Sequence, residues 1–134
     1  MKLTGFLLPA IVMLLSCGKN NISGPDPLSG KWELRESSGG IAGTIKYDPG
    51  NGVILNFYDN KGYKFVIPGM PSRTGAYELH KTTQPGDLML QIHYTAEGQP
   101  QVENDSIRVD AGKLIFLPSA SCCDIPSVTY ERVN

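Results

Sequence analysis

From Gly30 onward, apolar and polar side chains follow one another with a period of two. Residues 88–94, for example, read Leu-Met-Leu-Gln-Ile-His-Tyr, with every second side chain large and apolar. Successive side chains of a β-strand point to opposite faces, so this alternation is typical of a strand with one buried face. No window of eleven residues in this part of the sequence shows the repeat of an amphipathic helix. The pattern therefore predicts an all-β fold.

Short turns that contain glycine divide the alternating segments into eight strands. Asp59–Gly62 and Asp110–Lys113 are examples, and both are typical of hairpins. With short connections, sequential neighbours pair, and eight such strands close into an antiparallel up-and-down β-barrel without exposed edges. A two-sheet sandwich of the same strands is the alternative. The predicted strands are 30–36, 52–58, 62–67, 73–81, 87–95, 104–109, 113–118 and 127–133.

The connection between the first two predicted strands, residues 37–51, is longer than the others. It is rich in glycine and still carries Ile41, Ile45 and Tyr47. Long loops in compact domains are often functional, so one interpretation is a lid over the mouth of the barrel. The other interpretation is a short extra strand that packs over the barrel.

The amino-terminal residues have the pattern of a bacterial export signal. Lys2 precedes an apolar run from Leu3 to Leu15, which is too short for a membrane-spanning helix of ~20 residues. The run ends in Leu14-Leu15-Ser16-Cys17, which resembles the lipobox of bacterial lipoproteins. The resemblance implies that residues 1–16 are a lipoprotein signal peptide and that Cys17 carries the lipid. An ordinary secretory signal with an incidental cysteine is the alternative.

Residues 17–29 would then be the lipidated cysteine and a linker, because they include Gly24-Pro25-Asp26-Pro27 and few apolar side chains. Residues 30–134 are the predicted barrel domain. Such a protein is expected in the bacterial cell envelope, bound to the membrane through its lipid. The aspartate that retains some lipoproteins at the inner membrane does not follow Cys17. We therefore expect the outer membrane, with the protein facing the periplasm.

Charge and motif content narrow the classes of function. Twelve lysines and arginines stand against 13 acidic residues, without a basic cluster, so nucleic-acid binding is not expected. Neither G-x-S-x-G nor H-E-x-x-H occurs, and His80 and His93 fall on separate predicted strands. We therefore expect no enzyme activity, no catalytic residues, no metal site and no cofactor.

The first and last predicted strands carry a short motif. Gly30, Trp32 and Leu34 open the first strand, and Tyr130 and Arg132 close the last. With the Gly39-Gly40 loop, this order resembles the G-x-W signature of lipocalins, and more closely the small lipocalin-like domains of bacterial lipoproteins. The resemblance implies a structural role for Gly30, Trp32 and Arg132. In it the tryptophan closes one end of the barrel, and the arginine lies across its ring in a cation–π contact.

The interior of an eight-stranded barrel is either filled by side chains or holds one small ligand. We expect the following residues to point inward: Trp32, Leu34, Phe57, Phe65, Leu90, Ile92, Phe116 and Tyr130. An interior cavity would indicate binding of a small apolar or amphipathic molecule at the open end. A packed core with an apolar rim would indicate a protein-interaction or inhibitor module that acts on an envelope protein. The sequence does not predict which residues bind.

Two adjacent cysteines, Cys122 and Cys123, lie before the last predicted strand. A disulfide between them would be strained, because neighbouring Cα atoms are ~3.8 Å apart and disulfides usually need ~4.4–6.8 Å. A metal site with Asp124 and a distant histidine would need further ligands. The third interpretation is a loop segment without a chemical role.

Overall fold

A computed structural model describes Ile22, residues 24–118 and residues 125–134. These residues form nine β-strands and no α-helix. The strands are β1 (Gly30–Ser38), β2 (Thr44–Lys46), β3 (Ile54–Phe57), β4 (Gly62–Val66), β5 (Arg73–Lys81), β6 (Asp87–Ala96), β7 (Gln99–Asp110), β8 (Lys113–Phe116) and β9 (Ser127–Val133).

All the strand pairs are antiparallel, and the sheet closes on itself. From β3 to β9 each strand pairs with the next, and β3 pairs with β1. β1 also pairs with β9, from Lys31 opposite Val133 to Ser38 opposite Ser127. This last ladder turns the sheet into a barrel and excludes the two-sheet sandwich. The predicted eight-stranded antiparallel barrel is therefore confirmed, with one strand in addition.

The additional strand is β2, which lies in the long connection after β1. It pairs with Glu36–Ser38, beyond the point where β1 pairs with β3. All three of its side chains are exposed, so it extends the wall of the barrel and contributes little to the core. The interpretation of this segment as an extra strand is confirmed, but it pairs beside β1 and does not cover the barrel.

The barrel interior is filled mainly by large apolar and aromatic side chains. Trp32, Tyr63, Tyr77 and Phe57 are the largest fully buried residues. Six of the residues that we expected to point inward are buried, and Phe65 and Phe116 are half-buried against them. Fully burying one such side chain stabilises the fold by ~1.5–3 kcal/mol. The alternation in the sequence therefore identifies most of the core.

The two ends of the barrel differ. At the closed end, the chain before β1 packs against the strands, and Leu28 is fully buried there. The hairpin turns 58–61 and 111–112 lie at this end. The other end, the mouth, carries the connections 39–43, 67–72 and 97–98. The last residues of the predicted linker are thus part of the packed structure.

The β6–β7 hairpin is longer than predicted and projects at the mouth. β7 begins at Gln99 and not at residue 104. Its turn has positive φ at both central residues, Glu97 and Gly98, which matches the twist of the paired strands. The β6–β7 ladder extends to the pair Ala96–Gln99, whereas the β5–β6 ladder stops at Gly75 opposite Tyr94. We call residues 95–100 the projecting hairpin.

Candidate functional site

Charged side chains point into the barrel near the mouth. Glu103 and Asp105 lie on the same face of β7 as the buried residue Ile107. Arg73 opens β5 on the face that carries buried Tyr77. With two tyrosines from neighbouring strands they form a group that we call the mouth cluster: Tyr63, Arg73, Tyr94, Glu103 and Asp105.

A carboxylate joins three strands of this cluster. Arg73 Nη1 donates to Glu103 Oε1 at 3.2 Å, and Tyr94 Oη donates to the same oxygen at 2.6 Å. The guanidinium carbon of Arg73 lies 4.5 Å from the centroid of the Tyr94 ring and 5.8 Å from that of Phe65. Such cation–π contacts orient an arginine as well as attracting it. Arg73 is therefore held in place before any further group binds.

Two donors of the cluster are buried without an acceptor in the described part of the chain. They are Tyr63 Oη and Arg73 Nε. Tyr63 as a whole is only 1% exposed. A buried donor without a partner costs ~1–3 kcal/mol relative to one that is hydrogen-bonded. The cluster thus has hydrogen-bonding capacity that the described residues do not use.

Gly75 makes this arrangement possible. It lies between Tyr63 on β4 and Tyr94 on β6, directly opposite each of them. A Cβ atom at Gly75 would lie 2.9 Å from Tyr63 Cε1 and 2.0 Å from the carbonyl oxygen of His93. The absence of a side chain therefore allows the ring of Tyr63 to lie across β5 and allows the strands to approach closely.

The electrostatics of the cluster are acidic. One guanidinium faces two carboxyl groups, and it is already paired with Glu103. Burial, and then the charge of Glu103, raise the pKa of Asp105. The hydrogen bond to Glu103, and then burial, raise the pKa of the Tyr94 hydroxyl. Burial raises the pKa of Tyr63, so its hydroxyl remains a donor over the ordinary range of pH.

A cleft of about 530 Å³ reaches Arg73 and Tyr94 from the surface. It lies where β5 and β6 separate beside the projecting hairpin. Its lining comes from both faces of the sheet, with Gly75 and Gln101 from the inner face and Thr95 and Val102 from the outer face. The cleft therefore lies at the rim of the barrel and is bounded by two members of the mouth cluster, Arg73 and Tyr94.

A second cleft, of about 640 Å³, lies at the closed end between Ile22, Gly24, Asp26 and Pro27 on one side and strands β5 and β6 on the other. One of its polar groups is Asp26, which accepts hydrogen bonds from Lys61, from Tyr77 Oη at 2.6 Å and from the Leu28 amide at 2.9 Å. Burial raises the pKa of Asp26, but these hydrogen bonds outweigh it and the net pKa is lowered. This cleft offers a ligand an acid that is already well hydrogen-bonded.

Gly30, Trp32 and Arg132 also lie at the closed end, away from the mouth cluster. The guanidinium carbon of Arg132 is 4.2 Å from the centroid of the Trp32 ring. The same guanidinium donates to the backbone carbonyls of Ser29 and Pro27. Gly30 has φ +126°, and a Cβ atom there would be 2.5 Å from Arg132 Nη1. Contacts among these three residues therefore hold the first and last strands together.

Cys17, Cys122 and Cys123 lie outside the described residues, so lipid attachment and the vicinal disulfide stay predictions. His80 and His93 lie on the outer face of the barrel near Glu78, with Nε2 atoms 3.5 and 3.9 Å from its carboxylate. Within the described ranges, no cluster of three or more histidine, cysteine or acidic residues could hold a metal ion. Nor does that part of the chain contain a helix of sufficient length and hydrophobicity to span a membrane.

The mouth cluster was not predicted from the sequence. A signal for it exists in the alternation of Glu103, Asp105, Ile107 and Val109, which places two carboxyl groups on an apolar face. The predicted strand begins at residue 104 and therefore does not include Glu103.

Comparison with family models, curated proteins and solved structures finds no match for this chain.

Proposed function

We propose that the protein binds a small amphipathic molecule in the mouth of the barrel and that the mouth cluster receives its polar group. The observation that carries this proposal is the pair of buried donors, Tyr63 Oη and Arg73 Nε. A bound acceptor would satisfy both and recover the cost of their burial. Arg73 is already fixed by Glu103 and Tyr94, so little ordering is needed when the ligand binds.

The cleft beside the projecting hairpin supports the proposal. Its volume lies within the roughly 300–1,000 Å³ of small-molecule sites. Pro100, Val102 and the ring of Tyr94 line it and offer apolar surface to the rest of the ligand. We propose the mouth and this cleft as the route of entry, because Asp26 in the cleft at the closed end already accepts three hydrogen bonds.

A protein-interaction module is the second candidate, because the barrel interior is filled by side chains and apolar residues are exposed at the mouth, which is the combination expected of such a module. Ile41 is fully exposed, and Met70 and Ile125 are 61% and 48% exposed. Clusters of this kind mark interaction surfaces when they are contiguous. In this case the partner would be an envelope protein that covers the rim.

Native mass spectrometry of the protein purified from its own host distinguishes the two candidates. We expect the wild-type protein to carry a small molecule, and the double variant Tyr63→Phe/Arg73→Lys to carry much less. Lysine keeps the positive charge beside Glu103 but lacks the Nε–H donor. Tyr58→Phe is the matched control, because it removes an exposed tyrosine hydroxyl at the closed end. A co-purifying protein with no small molecule would favour the second candidate.

We further propose that this barrel is lipocalin-like and that Cys17 anchors it in the bacterial cell envelope, in the outer membrane and facing the periplasm. The closed eight-stranded barrel, with Arg132 across Trp32, supports the first part. The lipobox-like Leu14-Leu15-Ser16-Cys17 supports the second. Cys17→Ser should abolish labelling of the protein with radioactive palmitate. A variant that labels as well as the wild type would refute the anchor.

A further inference from the structure

The two buried groups of the mouth cluster that have no partner among the described residues can both donate a hydrogen bond. Tyr63 Oη offers one O–H and Arg73 Nε one N–H, and neither reaches an acceptor among the described residues. A ligand group that only donates leaves this O–H and this N–H without an acceptor. The polar group of the ligand must therefore bring at least one acceptor oxygen or nitrogen.

The charges in the cluster disfavour an anionic acceptor. The positive charge of Arg73 is already shared with Glu103, 3.2 Å away. Asp105 adds a second carboxyl group on the same face of β7. A carboxylate ligand would compete with Glu103 for the guanidinium and would meet the repulsion of two acids. An ammonium group would be attracted by these acids, but it has no acceptor for the two donors and would approach Arg73.

From these two arguments we infer that the site selects an uncharged acceptor, such as an amide or ester carbonyl, over a carboxylate or an amine. The inference rests on the proposed function and specifies the chemical class of its ligand. The carbonyl oxygen receives hydrogen bonds from Tyr63 Oη and Arg73 Nε, which recover the cost of burying both donors.

Three probes with the same aromatic body test the inference on the purified protein: phenylacetamide, phenylacetate and phenethylamine. Binding is followed at neutral pH by ¹⁵N-correlated NMR, in which the Nε–H of Arg73 has its own signal. We expect phenylacetamide to move this signal downfield and to bind ~10-fold or more tightly than either charged probe, a difference of ~1.4 kcal/mol. Tyr63→Phe should weaken amide binding ~2- to 10-fold, as for the loss of one neutral hydrogen bond. Tyr58→Phe should leave it unchanged.

Each other outcome has a distinct meaning. If phenylacetate or phenethylamine binds as tightly as the amide, the inference is wrong although the proposed function stands. If none of the three moves the Arg73 signal, the proposed function fails as well. Asp105→Asn tests the cause, because removal of one negative charge should strengthen phenylacetate binding relative to the amide. An unchanged ratio in that variant would overturn the charge argument.

Discussion

Each end of the barrel holds an arginine against an aromatic ring, but the two arginines are used differently. At the closed end, Arg132 lies 4.2 Å from the ring of Trp32 and donates to two backbone carbonyls. At the mouth, Arg73 lies 4.5 Å from the ring of Tyr94 and donates to one carboxylate. Its Nε remains without an acceptor in the described part of the molecule.

A buried tyrosine at each end of the barrel shows the same difference in hydrogen bonding. Tyr77 Oη donates to Asp26 at the closed end, whereas the equally buried Tyr63 Oη has no acceptor among the described residues. An arginine–aromatic contact therefore does not by itself distinguish a structural role from a binding role. The donors that stay unsatisfied make the distinction, because a stable fold has no reason to bury them without a partner.

Loss of the tryptophan at the closed end should have the largest effect on stability. Trp32→Ala should lower the free energy of unfolding by ~3–5 kcal/mol, as for other buried aromatic truncations. Arg132→Ala should have a smaller effect, and the double variant should cost less than the sum because the two side chains touch. Urea unfolding curves of the three variants measure this coupling. Strict additivity would contradict the contact.

One chemical change, the removal of a buried tyrosine hydroxyl, should have opposite effects at the two ends. Tyr77→Phe should lower the free energy of unfolding by ~1.5–3 kcal/mol, because it removes a hydrogen bond to a charged carboxylate. Tyr63→Phe should raise it by ~1 kcal/mol, because it removes a buried donor without an acceptor. Equilibrium urea unfolding without added ligand compares the two. Destabilisation of similar size in both variants would remove the contrast between the ends.

A side chain at Gly75 should disturb the mouth cluster. Gly75→Ala places a methyl group against the His93 carbonyl and the Tyr63 ring, and should cost ~1–3 kcal/mol as for other overpacked sites. Gly86→Ala is the control at a glycine with open space around it, although its positive φ makes a small cost expected. Thermal unfolding of both variants checks this. If Gly75→Ala is as stable as the wild type, the strands are not as close as described.

A fall in pH should change the stability of the protein in opposite directions through the carboxyl groups of its two ends. The pKa of Asp26 is lowered below 3.8, so its stabilising effect is present above pH 3.8 and is lost as the pH falls through the lowered pKa. The pKa of Asp105 is raised above 3.8 by burial and by Glu103, so its cost to stability develops as the pH rises from 3.8 through the raised pKa. Asp26→Asn should therefore lower the melting temperature at neutral pH, and Asp105→Asn should raise it slightly.

Melting temperatures of the wild type and both variants, measured from neutral pH to below 3.8, check these directions. The advantage of Asp105→Asn should vanish at the acid end of the range. A disadvantage at neutral pH would mean that the ionised form of Asp105 is stabilised by the fold.

The fold could be predicted from the sequence because one face of each strand is apolar. The resulting period of two is visible in residues such as Leu88, Leu90 and Ile92. The start of β7 could not be predicted in this way, because Gln99–Glu103 lacks this apolar period. The turn before it also has a non-glycine residue, Glu97, at positive φ. The mouth cluster was missed for a related reason. Glu103 lies before the predicted start of this strand, and which side chains meet it depends on the register of four strands.

The β1–β9 ladder joins residues about one hundred positions apart, as in the pair Lys31–Val133. Every other ladder of the barrel links strands that are much closer in the sequence: six ladders join consecutive strands, and β1 pairs with β3 across the β2 segment. Closure is thus the pairing with the greatest loss of chain entropy, and we expect it to come late in folding. Until the carboxy-terminal strand arrives, β1 and β8 present open edges that can pair with another chain. The contact of Arg132 with Trp32 forms with this ladder, so we expect the protein to become more resistant to aggregation once the contact is made.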